Sequence, residues 1–185
     1  DKIIVMGPPR LSPDNNLVLT QGWDENRIEE ENYRGGIYTI ELSSGNVSQI
    51  NAKEDVSRSF SNEWSKDGKF IFYTSNNQII KHEISTGEEH IIYSNEKLGM
   101  PVIRRSFGGN NLIFDVQMND TLKHLKSISV NGGNEELLAK FNTSRTPLMF
   151  RKLTLSPDGK YIYLSVDDSE SGSILWRVPS GGGEP

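Results

Sequence analysis

Leu155-Ser156-Pro157-Asp158-Gly159-Lys160-Tyr161-Ile162-Tyr163 is the stretch whose reading decides the fold. Pro-Asp-Gly makes a tight turn, because Gly accepts positive φ and Asp caps the turn with its carboxylate. The residues after it alternate as a half-buried strand does. The same phrase recurs as Trp64-Ser65-Lys66-Asp67-Gly68-Lys69-Phe70-Ile71-Phe72 and as Leu11-Ser12-Pro13-Asp14-Asn15-Asn16-Leu17-Val18-Leu19. A degenerate copy runs from Arg105 to Phe114, with Phe107-Gly108 in place of Pro-Asp. The four serines stand at 12, 65, 106 and 156, giving steps of 53, 41 and 50 residues. Such steps fit a supersecondary unit of four strands with loops of variable length.

Each unit repeats one grammar. A turn leads into a first strand (Leu17–Thr20, Phe70–Thr74, Leu112–Val116, Tyr161–Val166), then a loop and a second strand (Gly36–Leu42, Gln78–Ile84, Leu122–Val130, Ser173–Val178). A second glycine-bearing turn follows, at Ser43–Asn46, Ser85–Glu88, Asn131–Asn134 and Ser180–Gly183. An outer strand comes next in three units: Val47–Ile50, His90–Tyr93 and Glu136–Phe141. Strand–turn–strand–turn at this period predicts four-stranded antiparallel blades at about 7–50, 60–93, 101–141 and 151–185, the last without its outer strand. Lys2–Met6 has two readings: the inner strand of blade one continuing into Pro8–Leu11, or a strand that closes blade four. The fold class expected is all-β, a propeller of about four blades that forms part of a longer one.

The composition agrees. Apolar residues make up 34% of 185, too few for wide apolar helix faces, while 16 aromatic residues are enough to anchor a core. The net charge of −5 argues against a general nucleic-acid binder. Zero cysteines exclude disulfides, thiol catalysis and Cys-based metal sites. No apolar run reaches the length of a transmembrane helix. Charge is uneven: residues 1–96 net −7, residues 97–152 net +5 and residues 153–185 net −3. The basic sector holds Lys97, Arg104, Arg105, Lys123, Lys126, Lys140, Arg145, Arg151 and Lys152, a patch of the sign that would dock an acidic partner.

The Ser-Pro-Asp-Gly-Lys phrase, its aromatic strand and the closing Leu175-Trp176-Arg177-Val178-Pro179-Ser180-Gly181-Gly182-Gly183 together resemble the WD-like "PD" repeat of TolB-type β-propellers. Four copies in register cover nearly the whole chain. The resemblance implies a bacterial cell-envelope or periplasmic setting and a non-catalytic module that binds a protein, peptide or glycan. Similar propellers precede the hydrolase domain of prolyl-oligopeptidase and dipeptidyl-peptidase relatives, where they gate substrate access. A sensory propeller of a signalling protein is a third possibility of the same fold.

Catalytic and metal constellations are missing from the sequence. Ser169-Glu170-Ser171-Gly172 does not make a nucleophile elbow, and His82-Glu83 is not followed by a second histidine at metalloprotease spacing. His82, His90 and His124 read as ordinary strand histidines. The acidic loops Asp24–Asn32 and Asp167–Ser171 lack the spacing of a calcium loop and read as solvated tips. No cofactor is expected. The candidate binding residues come from alternation on the inner strands. Beside the repeated serine stand Leu11, Trp64, Arg105 and Leu155, expected to pack between blades. One place further back stand Arg10, Glu63, Arg104 and Thr154, expected to line a channel mouth. Blade faces without neighbours are expected to favour self-association.

Overall fold

In the computed structural model the repeated phrase closes the same way three times. Ser12 Oγ donates to Asp14 Oδ1 and accepts from the Leu17 amide; Ser65 does so with Asp67 and Phe70, and Ser156 with Asp158 and Tyr161. Donor–acceptor distances are 2.6 Å for each hydroxyl–carboxylate bond and 2.9 Å for each amide–hydroxyl bond. Each Asp also accepts an amide two residues on, at 3.1 Å. These bonds hold the carboxyls of Asp14, Asp67 and Asp158 below their ordinary range, the serine hydroxyl contributing most. Gly68 and Gly159 take φ of 72° and 70°, the left-handed conformation that the turn requires.

The structure describes residues 2–31, 33, 35–50, 61–95, 98–107, 109–142, 149–168 and 172–185. They fall into two compact units, Asp1–Ser94 and Asn95–Pro185. In the first unit, β1 (Ile3–Val5), β2 (Arg10–Leu11), β3 (Leu17–Asp24), β4 (Gly36–Glu41) and β5 (Val47–Gln49) form one sheet. The second sheet of that unit is β6 (Asn62–Trp64), β7 (Phe70–Ser75), β8 (Gln78–Glu83) and β9 (Glu89–Ser94). The second unit holds β10 (Val102–Phe107), β11 (Asn111–Asn119), β12 (Leu122–Ser129) and β13 (Glu136–Asn142), then β14 (Met149–Leu155), β15 (Tyr161–Asp168) and β16 (Gly172–Pro179). Every pairing is antiparallel. One short 3-10 turn, Glu25–Arg27, is the only helical element among the described residues. The class expected from the repeat, an all-β chain of antiparallel propeller blades, is the class observed. The sheet of β14–β16 has three strands among the described residues.

Of the two readings of Lys2–Met6, the first holds. β1 and β2 both pair with β3, Ile3 opposite Asp24 and Arg10 opposite Leu19, so they are two halves of one inner strand. Gly7-Pro8-Pro9 separates them, and prolines have no amide to give the ladder.

Each unit buries one inter-sheet core. Leu19 and Ile37 of the first sheet pack on Trp64, Ile71 and Tyr73 of the second. In the other unit, Ile113, Leu125, Leu138 and Phe141 pack on Phe150, Ile162, Leu164 and Val178. Phe141 meets Phe150 and Trp176 edge to face, with ring centroids 5.0 and 5.9 Å apart.

Candidate functional site

The inner strands carry the candidate residues, and the ladder shows which are equivalent. Leu11 pairs with Val18, Trp64 with Ile71, Ser106 with Leu112 and Leu155 with Ile162. On the next rung, Arg10 pairs with Leu19, Glu63 with Phe72, Arg105 with Ile113 and Thr154 with Tyr163. Three of the four expected positions therefore share a rung. In the third sheet Arg105, not Arg104, stands there. The degenerate turn is one residue shorter, so Ser106 faces the sixth residue after it, whereas Leu11, Trp64 and Leu155 face the seventh. Arg104 is the extra residue of a bulge between Ile103 and Arg105.

The neighbouring rung is corrected as well. Trp64 is buried, and Leu155 packs against the core of its unit, as expected. Leu11 is 56% exposed and does not pack between sheets. Trp64 occupies that flank of β2, since its Nε1 donates to the carbonyl of Arg10 at 3.1 Å.

The polar rung is not a row of free charges. Arg10 Nη1 lies 3.1 Å from Glu63 Oε2, with the arginine side chain half-buried and the glutamate more so. The two candidates of the first unit thus neutralise each other across its two sheets. Arg105 and Thr154 are exposed in the second unit.

Arg104 does different work. Its Nε donates to Asp115 and its Nη1 donates to the carbonyl of Phe150 at 2.8 Å, bridging β10 and β14. Lys123 Nζ reaches the other oxygen of Asp115 at 2.9 Å. Asp115 is 1% exposed. The Phe150 ring lies beneath both cations, 5.7 Å from the guanidinium carbon and 4.9 Å from the ammonium. This is a buried ionic clamp between two blades. It removes Arg104 and Lys123 from the basic surface expected of this sector. Lys126 is withdrawn too, buried and 3.1 Å from Glu135. Arg105, Lys140, Arg151 and Lys152 remain exposed, while Lys97 and Arg145 lie outside the described residues.

The histidines have structural surroundings. His82 Nδ1 is 3.3 Å from Glu89 Oε1, which also accepts the Tyr73 hydroxyl at 2.6 Å. That knot spans β7, β8 and β9; burial, then the bond to Glu89, pushes the Tyr73 phenol upward. His90 is exposed, 3.9 Å from Glu88. Burial, then Lys126 and Lys140, lowers the pKa of His124. Among the described residues no cluster of three or more His, Asp or Glu side chains could hold a metal ion. None of their helices is long and apolar enough to cross a membrane. Of the acidic loops, Asp24 is engaged by the Asn26 amide at 3.0 Å and Glu30 by Arg27 at 2.9 Å. Residues 169–171 of the other lie outside the described residues.

The knot at Tyr73 and the clamp at Asp115 are not apparent in the repeat phrase. Their partners come from neighbouring strands, so no spacing within the phrase announces them.

No known family profile matches the chain, and no curated protein does. Solved structures do. The putative TolB from Agrobacterium tumefaciens aligns with a TM-score of 0.66 at 17% identity, over 94% of this chain and 61% of that one. TolB from Acinetobacter baumannii aligns with a TM-score of 0.64 at 19% identity, over 97% of this chain and 44% of that one. A prolyl endopeptidase structure aligns with a TM-score of 0.66 at 11% identity, over 97% of this chain and 27% of that one. The chain therefore spans about half the length of the TolB structures and about a quarter of the peptidase. At these identities the likeness shows the fold.

Proposed function

We propose that this chain is a non-catalytic binding module of a bacterial cell-envelope protein, recognising a protein, peptide or glycan through its inner strands. Arg10, Glu63 and Thr154 are the residues assigned to that role, and Arg105 takes the place expected of Arg104, which the clamp around Asp115 engages. The observation that carries the reading is the recurrence of a polar residue on one rung, beside the serine turn, in every sheet. The likeness to TolB structures supports the cell-envelope setting. Guanidinium groups favour carboxylate ligands, which they bind in bidentate fashion.

A fluorescein-labelled aspartate-rich peptide is the probe. Replacing Arg10 or Arg105 with Ala should weaken its binding at least tenfold, since a hydrogen bond to a charged group contributes about 1.5–3 kcal/mol. Lys66→Ala, on an exposed turn, should leave affinity unchanged. Equal losses in all three variants would defeat the reading. Arg104 is unsuited to this test, because its removal also opens the clamp around Asp115.

The likeness to a prolyl endopeptidase favours a second reading, in which the chain is the propeller that gates a serine hydrolase. A Gly-x-Ser-x-Gly motif encoded in the same reading frame would decide for it.

A further inference from the structure

The rung that carries the candidate residues is filled differently in the two units. In the second unit it holds Arg105, which is exposed, and Thr154, which has no charge. Neither offers a carboxylate. In the first unit it holds Arg10 and Glu63, and Glu63 Oε2 lies 3.1 Å from Arg10 Nη1. A carboxylate of the chain itself thus sits at the guanidinium to which a ligand carboxylate would bind.

This contact is fixed from both sides. Trp64, the neighbour of Glu63 on β6, is 4% exposed, and its Nε1 donates to the Arg10 carbonyl at 3.1 Å. That bond ties β2 to β6 beside the ion pair. The amide of the same tryptophan donates to Glu63 Oε1 at 3.2 Å. One carboxylate oxygen is therefore held by its own strand while the other faces Arg10. The glutamate side chain is 13% exposed and the arginine 35%, so the open side of the pair is the guanidinium. A guanidinium presents five N–H donors in a planar fork, and contact through one carboxylate oxygen leaves most of them for another anion. Ion pairs in partial contact with water are weak, so a ligand anion can displace such a partner.

We infer that Glu63 is a built-in competitor, which occupies Arg10 in the free protein and which an anionic ligand must displace. The inference rests on the reading of this rung as a ligand site, and it gives Glu63 the role of setting specificity there. A lone carboxylate replaces like with like at Arg10 and gains little, whereas Arg105 offers an exposed cation. Weak anions are thereby turned away from the first unit without any steric barrier.

Two readouts test this, and the first needs no ligand. Phenylglyoxal modifies accessible guanidinium groups, and peptide mapping by mass spectrometry follows Arg10 with Arg105 as internal reference. Arg10 should react more slowly than Arg105 in the wild type. Its rate should rise about threefold in Glu63→Gln and in Glu63→Asp, with no change at Arg105. Aspartate keeps the negative charge but is one methylene shorter and loses the contact. The second readout is affinity for the fluorescein-labelled aspartate-rich peptide, which should also rise about threefold in both variants.

A labelling rate at Arg10 that neither substitution raises would overturn the inference. So would a gain seen in Glu63→Gln and not in Glu63→Asp, because charge alone would then be acting. Faster labelling in both variants with peptide affinity unchanged would make Glu63 a structural partner only, and the inference falls. Failure of the underlying reading has a different signature: Arg10→Ala and Arg105→Ala then bind the peptide as the wild type does, whatever the labelling rates, and the inference falls with it.

Discussion

Both units join their two sheets at the same place, where the inner strand of one meets the main chain or side chain of the next, yet they use different chemistry. In the first unit a neutral indole donates across the gap, Trp64 Nε1 to the Arg10 carbonyl, with the Arg10–Glu63 pair beside it in partial contact with water. In the second a guanidinium donates to the Phe150 carbonyl, and Asp115 and Lys123 are buried with it. The indole joint adds apolar burial to one hydrogen bond. The ionic joint carries the desolvation of three charged groups, and only its full set of partners offsets that. The difference predicts a joint that tolerates trimming in the first unit and one that fails as a whole in the second.

The largest effect should come from breaking the ionic joint. Asp115→Ala leaves the buried Lys123 and the half-buried Arg104 without their anion and should destabilise the chain by about 3–5 kcal/mol. Urea unfolding measures this. Replacing Arg104, Asp115 and Lys123 together with Met, Leu and Met should recover most of the loss, because apolar groups of similar size remove the desolvation term. A triple variant as unstable as Asp115→Ala would show that the clamp is not primarily ionic.

A smaller effect is expected at the indole joint. Trp64→Phe keeps an aromatic ring in the core but loses the bond to the Arg10 carbonyl, which should cost about 1–3 kcal/mol. A loss equal to that of Asp115→Ala would erase the contrast between the units.

The smallest effect concerns the serine–aspartate turns, of which the first unit has two and the second has one among the described residues. Asp14, Asp67 and Asp158 have folded-state pKa values below the ordinary 3.8. Each therefore adds stability above about pH 3.8, and that contribution is lost as pH falls through the lowered folded value. Unfolding midpoints followed from pH 6 to about pH 2.5 should show a shallower acid decline in Asp14→Asn/Asp67→Asn than in wild type, with a smaller change in Asp158→Asn. An unchanged decline in the double variant would remove these turns from the acid response.

These joints also mark what could be read without coordinates. Ser65-Lys66-Asp67-Gly68 and its copies announced both turn and strand, because every bond in that turn is made within six residues of chain. The candidate rung was legible for Arg10, Glu63 and Thr154 for the same reason: alternation counts outward from a local turn. It failed at Arg104, where a turn one residue shorter placed Ser106 on the rung of Leu11 and Arg105 on the candidate rung, and the bulge turned Arg104 toward β14. Leu11 failed differently, since the indole that takes its flank comes from a strand more than fifty residues away.

By itself the sequence determined the class of fold, the number of repeated units and the position of each turn, since all three follow from local hydrogen bonding and a period of two. Tertiary structure decided that Lys2–Met6 supplies the first half of an inner strand, that Asp115 unites two cations over a phenylalanine ring, and that Ile4 and Trp23 pair at the end strand of their sheet. The reason is physical. Pairing between distant segments depends on which faces the sheets bury against each other, and a single-residue shift in register exchanges those faces.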